Sequence, residues 1–244
     1  MRCRASTRAL AALAATATFA FAAGPALLAP FSEATPGGAL PAGWTPLTFP
    51  NIARHTQYTL VRDEAGTVVV QAYAQDSASG LVHKLDVPAA DRPRLAWRWK
   101  AAQVVADGDV TRRDGDDYPT RVYVTFRYTP ERLSGWQRLR YAALRALYGE
   151  YPPHAGLTYV WDARAPRGTV VPSAYTDRVR MIVVESGTAN LGRWLAYERD
   201  VVADYRAAFG EDPPPISGVA IMTDTDNTGA TVTAWYGDVA LLPP

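Results

Sequence analysis

Short runs of alternating apolar and polar residues, separated by Gly, Pro and Asp, fill most of the chain beyond residue 57. The clearest run is Thr120–Tyr128, in which Val122, Val124 and Phe126 take every second position. Side chains of a β-strand point alternately to its two faces. The three apolar residues therefore predict a core-facing side, and the residues between them predict the opposite face.

The same pattern recurs at regular intervals. Tyr58–Arg62 and Thr67–Ala74 flank the sequence Asp63-Glu64-Ala65-Gly66, which is typical of a hairpin turn. Further runs are Leu81–Val87, Arg94–Ala101, Leu157–Trp161, Arg178–Val184, Trp194–Tyr197, Ile216–Thr223 and Thr231–Leu242. Many short strands with turns between them predict an all-β fold, a jelly-roll-like β-sandwich, rather than alternating strands and helices.

Two segments have helical periodicity instead, and they predict short helical insertions. Ser134–Tyr148 places apolar residues near a 3.6-residue period, as in an amphipathic helix. These residues are Trp136, Leu139, Ala143, Leu144 and Leu147. We expect this stripe to pack across one end of the sandwich; the basic residues Arg138, Arg140 and Arg145 leave contact with an anionic membrane or glycan as the alternative. The second helix, Asp200–Phe209, ends at Gly210, a common helix stop.

The first 22 residues have the pattern of an export signal. Arg2, Arg4 and Arg8 precede an apolar stretch, and Ala20-Phe21-Ala22 is a small-x-small cleavage site. No later apolar stretch reaches the roughly 18 residues of a membrane span. We therefore expect a bacterial protein exported to the periplasm or secreted, without a membrane span after signal cleavage.

The rest of the chain predicts a linker and one domain. Residues 23–43 are rich in Pro, Gly and Ala and predict a linker, with a candidate first strand at 31–33. Residues 44–244 predict a single β-sandwich domain. Cys3 is the only cysteine and leaves with the signal, so thiolate catalysis, disulfides and Cys-ligated zinc are excluded from the processed protein.

Composition and the absence of motifs exclude several further classes. A formal net charge of +1 argues against a nucleic-acid partner. The three His are scattered and form no zinc motif. The sequence contains no G-x-S-x-G, G-x-G-x-x-G or P-loop pattern, so α/β-hydrolase, dinucleotide and nucleotide chemistry have no support.

The densest polar segment, Ile221–Gly229, follows an apolar run and supports three interpretations. A phosphotransfer loop of the D-x-D-x-T type is excluded by position, because only 15 residues follow Gly229 where a doubly wound domain would be needed. Asp224, Asp226 and Thr228 also match the first positions of a calcium loop. However, Trp235 stands where an EF-hand needs Glu, so only a looser oxygen cage remains. The third interpretation is a hairpin turn between the last two predicted strands.

Two other segments concentrate charge. Asp116 and Asp117 precede the strand that begins at Arg121, and they are candidates for an acid/base site, a sugar site or a structural ion pair. In Trp97-Arg98-Trp99-Lys100 the indoles predict the core, and the two cations share the outer face. If the strands are neighbours, Arg98 and Lys100 would lie with Arg121 and Tyr123.

Together, these segments favour a glycan-binding protein. Mixed basic, acidic and aromatic side chains suit hydroxyl-rich or carboxylated ligands. The candidate ligand-binding residues are Arg98, Lys100, Asp116, Asp117, Arg121, Tyr123, Asp224, Asp226 and Asn227. Alternatives are a glycan hydrolase or lyase using paired Asp carboxylates and a structural periplasmic protein with no small ligand.

Several blocks in a fixed order carry a family resemblance. They are Ser77–Leu81, Trp97–Lys100, Gly115–Tyr123, Tyr159–Trp161, Asp204–Gly210, Met222–Gly229 and Tyr236–Val239. The chain resembles the bacterial domain-of-unknown-function family 3047 over roughly residues 31–242. The resemblance implies an exported single-domain protein and assigns no activity and no catalytic residue.

A weaker similarity is to galactose-binding-like jelly rolls, which include many carbohydrate-binding modules. It rests on the aromatic residues and Asp of Trp235–Val239 in the last predicted strand. In those domains a structural calcium often ties the terminal strands together. The resemblance therefore implies Glu33 and Asp238 as candidate calcium ligands in this chain.

Overall fold

Two β-sheets packed face to face dominate the computed structural model, which describes residues 26–148 and 151–244. One sheet has the order β11-β6-β13-β4-β3, with β1 also paired to β13. Its strands are β1 (Ala26–Ala29), β3 (Gln57–Arg62), β4 (Val68–Gln75), β6 (Arg94–Ala101), β11 (Leu195–Asp200) and β13 (Thr231–Leu242). We call it the six-stranded sheet.

The other sheet has the order β2-β5-β12-β7-β8-β10-β9, and we call it the seven-stranded sheet. Its strands are β2 (Trp44–Leu47), β5 (Ala78–Val87), β7 (Arg121–Phe126), β8 (Ala155–Asp162), β9 (Val170–Ser173), β10 (Thr176–Ser186) and β12 (Ile216–Asp224). All its neighbours are antiparallel except β8 and β10, which run parallel. The predicted all-β, jelly-roll-like sandwich is confirmed.

The core between the sheets follows the alternation read from the sequence. Val122, Val124 and Phe126 of β7 are fully buried in it. Trp97 and Trp99 of β6 are buried too, and the Trp97 ring stacks on Tyr159 at 5.1 Å between ring centroids. The odd-numbered residues of β7 therefore lie on the outer face of the seven-stranded sheet, as predicted.

The connection between β12 and β13 differs from the predicted hairpin. The two strands belong to opposite sheets, so residues 225–230 form an arch that crosses from one sheet to the other. The hairpin prediction is wrong because β13 pairs with β4 and β6, whereas β12 pairs with β5 and β7. The arch brings its polar residues to one end of the sandwich.

The two helices are found where the sequence predicted them, at α1 (Gly135–Tyr148) and α2 (Val201–Phe209). The Asp200 side chain caps α2 by accepting from two backbone N–H groups, and Gly210 ends the helix in the left-handed conformation. The apolar side of α2 is buried, including Tyr205. In α1, by contrast, Trp136 and Leu139 are exposed, so the prediction that this stripe packs on the sandwich is wrong for these residues.

The segment predicted as a linker takes part in the fold from Ala26 onward. β1 pairs with β13, and residues 31–33 form a 3₁₀ turn rather than the predicted strand. Phe31 is fully buried in the core, against Trp44. The predicted export signal, residues 1–22, lies outside the described residues. None of the described helices is long and apolar enough to cross a membrane.

Candidate functional site

Arg121 is a buried cation on the outer face of the seven-stranded sheet. It is the first residue of β7, where the alternation turns its side chain away from the core. Its neighbour across the strand pairing is Met222 of β12, and Asp224 lies further along that strand. Pairing of β7 with β12 thus joins residues that are about a hundred positions apart in the chain.

Two carboxylates hold the Arg121 guanidinium. Its Nε donates to Asp224 Oδ1 at 2.9 Å, and one Nη bonds the other Asp224 oxygen. The other Nη donates to Asp116 Oδ2 at 3.3 Å and to the Tyr123 hydroxyl at 3.1 Å. The Tyr118 ring lies against the guanidinium, 4.2 Å from ring centroid to Cζ. A forked cation with this many partners is fixed in place.

Asp117 bonds the arch, whereas its neighbour Asp116 bonds Arg121. Its buried carboxylate accepts from the backbone N–H groups of Asn227 and Thr228, the latter at 2.7 Å. The Thr228 hydroxyl and the Asn227 side-chain amide donate to it as well. Asp117 therefore clamps the arch between β12 and β13 onto the loop before β7, and it stabilises the position of Asn227.

Around these groups lies an open cavity of about 650 Å³, which we call the recess. Six of the predicted ligand-binding residues line it: Asp116, Arg121, Tyr123, Asp224, Asp226 and Asn227. Its rim also contains Phe49, Asn51, Arg113 and Tyr175, which the sequence reasoning missed. These four lie in loops without periodicity, and only their proximity in the fold associates them with the site.

A second cavity of about 400 Å³, which we call the side cavity, lies next to the recess and shares Tyr123 with it. Tyr123 lines both, and Thr125, the next outward residue of β7, lines the side cavity. Its far wall consists of Gln137, Arg140 and Tyr141 of α1 with Arg178 of β10. The recess and the side cavity together form a groove along the outer face of the seven-stranded sheet.

The charges differ along this groove. The recess carries the carboxylates Asp116, Asp224 and Asp226, whereas Arg140 and Arg178 face the side cavity together with Asp177. Burial, and next the neighbouring Asp117 carboxylate, raises the pKa of the half-buried Asp226. Burial also raises the pKa of the Tyr123 hydroxyl, so it is an uncharged hydrogen-bonding group at neutral pH. The groove thus offers polar contacts of both signs.

The carboxylates of Asp117, Asp224 and Asp226 lie close enough to hold a metal ion, with one oxygen of each within 4.8 Å of the others. Two of these carboxylates already accept hydrogen bonds from the protein. Asp224 accepts from the Arg121 side chain and the Tyr118 backbone N–H, and Asp117 accepts from the arch. At the other predicted calcium position, the two Asp238 oxygens accept from the Ser32 backbone N–H and hydroxyl at 2.8 and 2.6 Å. Glu33 follows Ser32 in the 3₁₀ turn.

Arg98 and Lys100 lie on the other sheet, so the prediction that they share a face with Arg121 and Tyr123 is wrong. Their strand, β6, belongs to the six-stranded sheet, which the core separates from β7. Lys100 is enclosed by the indoles of Trp194 and Trp235 and pairs with Glu64. Arg98 lies over the Trp194 ring at 4.3 Å from Cζ to the ring centroid.

Comparison with solved structures finds distant similarity. The family 11 carbohydrate-binding module of the cellulase Lic26A-Cel5E of Clostridium thermocellum aligns with a TM-score of 0.45 at 10% identity, covering 91% of this chain and 95% of that one. The cellulose-induced protein Cip1 aligns with a TM-score of 0.43 at 10% identity, covering 83% and 92%. No curated protein sequence matches the chain. Residues 42–240 match the family described as "Protein of unknown function (DUF3047)", and the chain therefore belongs to the DUF3047 family.

Proposed function

We propose that this is an exported protein that binds a carbohydrate chain in the groove on the outer face of the seven-stranded sheet. The observation that carries the proposal is that two cavities on the same face of the sheet share Tyr123 as a lining residue. The volumes of both cavities fall within the range of roughly 300–1,000 Å³ that small-molecule sites occupy. Two adjacent cavities on one sheet face suit an extended ligand better than a single compact molecule.

The side chains of the recess suit the surface of a sugar. Sugar rings present hydroxyl groups at their edges and C–H groups on their faces. Asp226 and Asn227 offer hydrogen-bond partners for hydroxyls, and Arg113 adds a cation. Tyr175 is half exposed at the rim, where its ring is available to a sugar face on the side away from Arg113.

The carboxylates favour binding over hydrolysis. Glycoside hydrolysis needs two available carboxyl groups, one of them an acid and the other a base or nucleophile. In and beside the recess, Asp224 and Asp116 are held by Arg121, and Asp117 is held by the arch. Asp226, with its raised pKa, is the remaining acid of that cluster, and alone it supplies one half of the required pair. We therefore propose binding without turnover.

The proposal is tested by titrating the protein with neutral and acidic oligosaccharides of increasing length, followed by calorimetry. We expect affinity to grow with length until the groove is filled. Tyr175→Ala removes a rim aromatic and is expected to weaken binding by about 1 kcal/mol, or roughly fivefold. The matched control is Tyr73→Ala, which removes a similarly exposed tyrosine from the six-stranded sheet.

Three results would contradict the proposal. The first is that the wild-type protein binds no oligosaccharide of either class. The second is an equal loss of affinity in the Tyr73 and Tyr175 variants, which would place the ligand elsewhere. The third is release of shortened product that stops in Asp226→Asn, which would favour a hydrolase or lyase over a binding protein.

A further inference from the structure

Among the described side chains of helix α1, a narrow polar strip contacts the sandwich. Tyr141 in this strip is buried, and its hydroxyl donates to the backbone carbonyl oxygens of Pro153 and His154. The Tyr141 ring stacks on Tyr128 at 4.9 Å between centroids, and Gln137, one turn earlier, is half-buried. Among the described side chains, Gln137 and Tyr141 therefore mark the side of α1 that faces the protein.

The large apolar residues of α1 whose side chains the structure describes, Trp136 and Leu139, point the other way. Trp136 is 75% exposed and Leu139 is 61% exposed, and Ala143 is exposed as well. An α-helix turns about 100° per residue, so these three share one face, centred about 150° from the strip of Gln137 and Tyr141. Soluble proteins usually bury the apolar face of an amphipathic helix, as α2 does with Tyr205. In α1 this face is turned to solvent.

The charge of α1 has one sign. The helix contains Arg138, Arg140 and Arg145, and no acidic residue occurs between Glu131 and Glu150. None of the three arginines forms an ion pair with a carboxylate of the described residues. Arg140 lies beside the exposed apolar face, whereas Arg138 and Arg145 lie toward the sandwich, where Arg138 donates to the Leu133 carbonyl oxygen and Arg145 lies over the Tyr151 ring. A cation beside an exposed Trp and Leu, on a helix without acidic residues, complements an anionic surface with an apolar interior.

We propose that α1 is a membrane-surface helix that docks the domain on anionic phospholipid. Trp136 and Leu139 enter the boundary between headgroups and acyl chains, where an indole ring is favoured. Arg140, beside that face, contacts lipid phosphates. The helix has 14 residues, which suits lying in the interface and is too short to cross the bilayer. The apolar part of this surface is separate from the groove, because neither Trp136 nor Leu139 lines it, whereas Arg140 borders both.

Co-flotation with vesicles tests the proposal. The full chain is mixed with vesicles of phosphatidylglycerol and phosphatidylcholine, or of phosphatidylcholine alone. We expect the double variant Trp136→Ser/Leu139→Ser to partition onto anionic vesicles about tenfold less than the wild type. Val170→Ser, which removes another exposed apolar residue from edge strand β9, is the matched control and should bind as the wild type does. The apolar N-terminal stretch is common to all variants, so the differences isolate α1.

The charge is tested separately. Arg140→Gln should weaken binding to anionic vesicles and leave binding to neutral vesicles unchanged, and added salt should reduce the difference. Circular dichroism and glycan titration should be unaltered in the serine variant, because its two side chains lie in solvent outside the groove. Equal partitioning of wild type and serine variant would overturn the proposal. A wild-type dimer in sedimentation equilibrium that the serine variant abolishes would overturn it too, since the face would then bind a second copy.

Discussion

Arg121 and Lys100 are two buried cations on the outer faces of opposite sheets, and their surroundings differ in one decisive way. Arg121 neutralises carboxylates that are themselves buried, with Asp224 almost fully enclosed. Lys100 is enclosed by indole rings, and its partner carboxylate on Glu64 is 73% exposed. Losing Arg121 would strand a charge inside the protein, whereas losing Lys100 would leave a charge that water already solvates. Two cations that are equally buried therefore need not contribute equally to the stability of the fold.

The largest loss of folding stability is expected from Arg121→Met. A buried carboxylate that loses its partner typically destabilises a protein by about 3–5 kcal/mol. Asp224 would lose both of its bonds to the guanidinium, and Asp116 would lose one. Urea unfolding of variant and wild type measures the change in free energy. A loss below about 1 kcal/mol would mean that the recess relaxes to admit water, and the contrast with Lys100 would disappear.

The pH dependence of that variant sharpens the comparison. Burial raises the pKa of the Asp224 carboxyl, and Arg121 is the largest opposing influence. A carboxyl whose folded pKa lies above its unfolded value of about 3.9 destabilises the fold at higher pH, and this penalty is relieved as the pH falls through the folded pKa. The deficit of Arg121→Met should thus shrink as the pH is lowered from 7 toward 4.

A double variant provides the control for this pH dependence. Arg121→Met/Asp224→Asn lacks the stranded carboxyl, so its deficit relative to the wild type should change less between pH 7 and pH 4. Unfolding curves at both pH values measure this for each variant. If single and double variants follow the same pH profile, the carboxyl of Asp224 is not the group that carries the penalty.

The same contrast shows what the sequence could and could not predict. Alternation placed Arg121 and Tyr123 on an outer face and Trp97 and Trp99 in the core, because a strand alternates its side chains whatever lies beside it. It did not show which strands are neighbours. Lys100 was therefore grouped with Arg121, although β6 and β7 belong to different sheets.

A turn and a helix end were also predicted correctly, because they do not depend on which strands are neighbours. The turn at Asp63–Gly66 and the helix stop at Gly210 each depend on a few consecutive residues, and both are found as predicted. The arch after Asp224 has the composition of a hairpin turn, and only the pairing of β13 with the other sheet makes it an arch. The rim residues Phe49 and Tyr175 come from loops with no periodic pattern, so nothing local points to them.

A smaller effect is expected from Lys100→Met. The methionine keeps the contact with Trp194 and Trp235 but removes the cation–π attraction, which is worth about 1 kcal/mol. Lys100 also holds the pKa of Glu64 below its ordinary value, and an exposed carboxylate released from it is hydrated. Urea unfolding beside Arg121→Met gives the ratio of the two losses. Equal losses would contradict the distinction between a stranded and a solvated partner.

Added calcium is expected to have the smallest effect on folding stability. A ligand present at a hundred times its Kd stabilises the folded state by about 2.7 kcal/mol, which a thermal melt detects easily. The recess carboxylates already accept hydrogen bonds from Arg121 and from backbone N–H groups, and Asp238 accepts two hydrogen bonds from Ser32. We therefore expect melting curves in calcium and in EDTA to coincide. A calcium-dependent rise in Tm that disappears in Asp226→Asn would show that the recess holds a second cation beside Arg121. A rise that disappears in Asp238→Asn would instead restore the calcium site expected between the terminal strands.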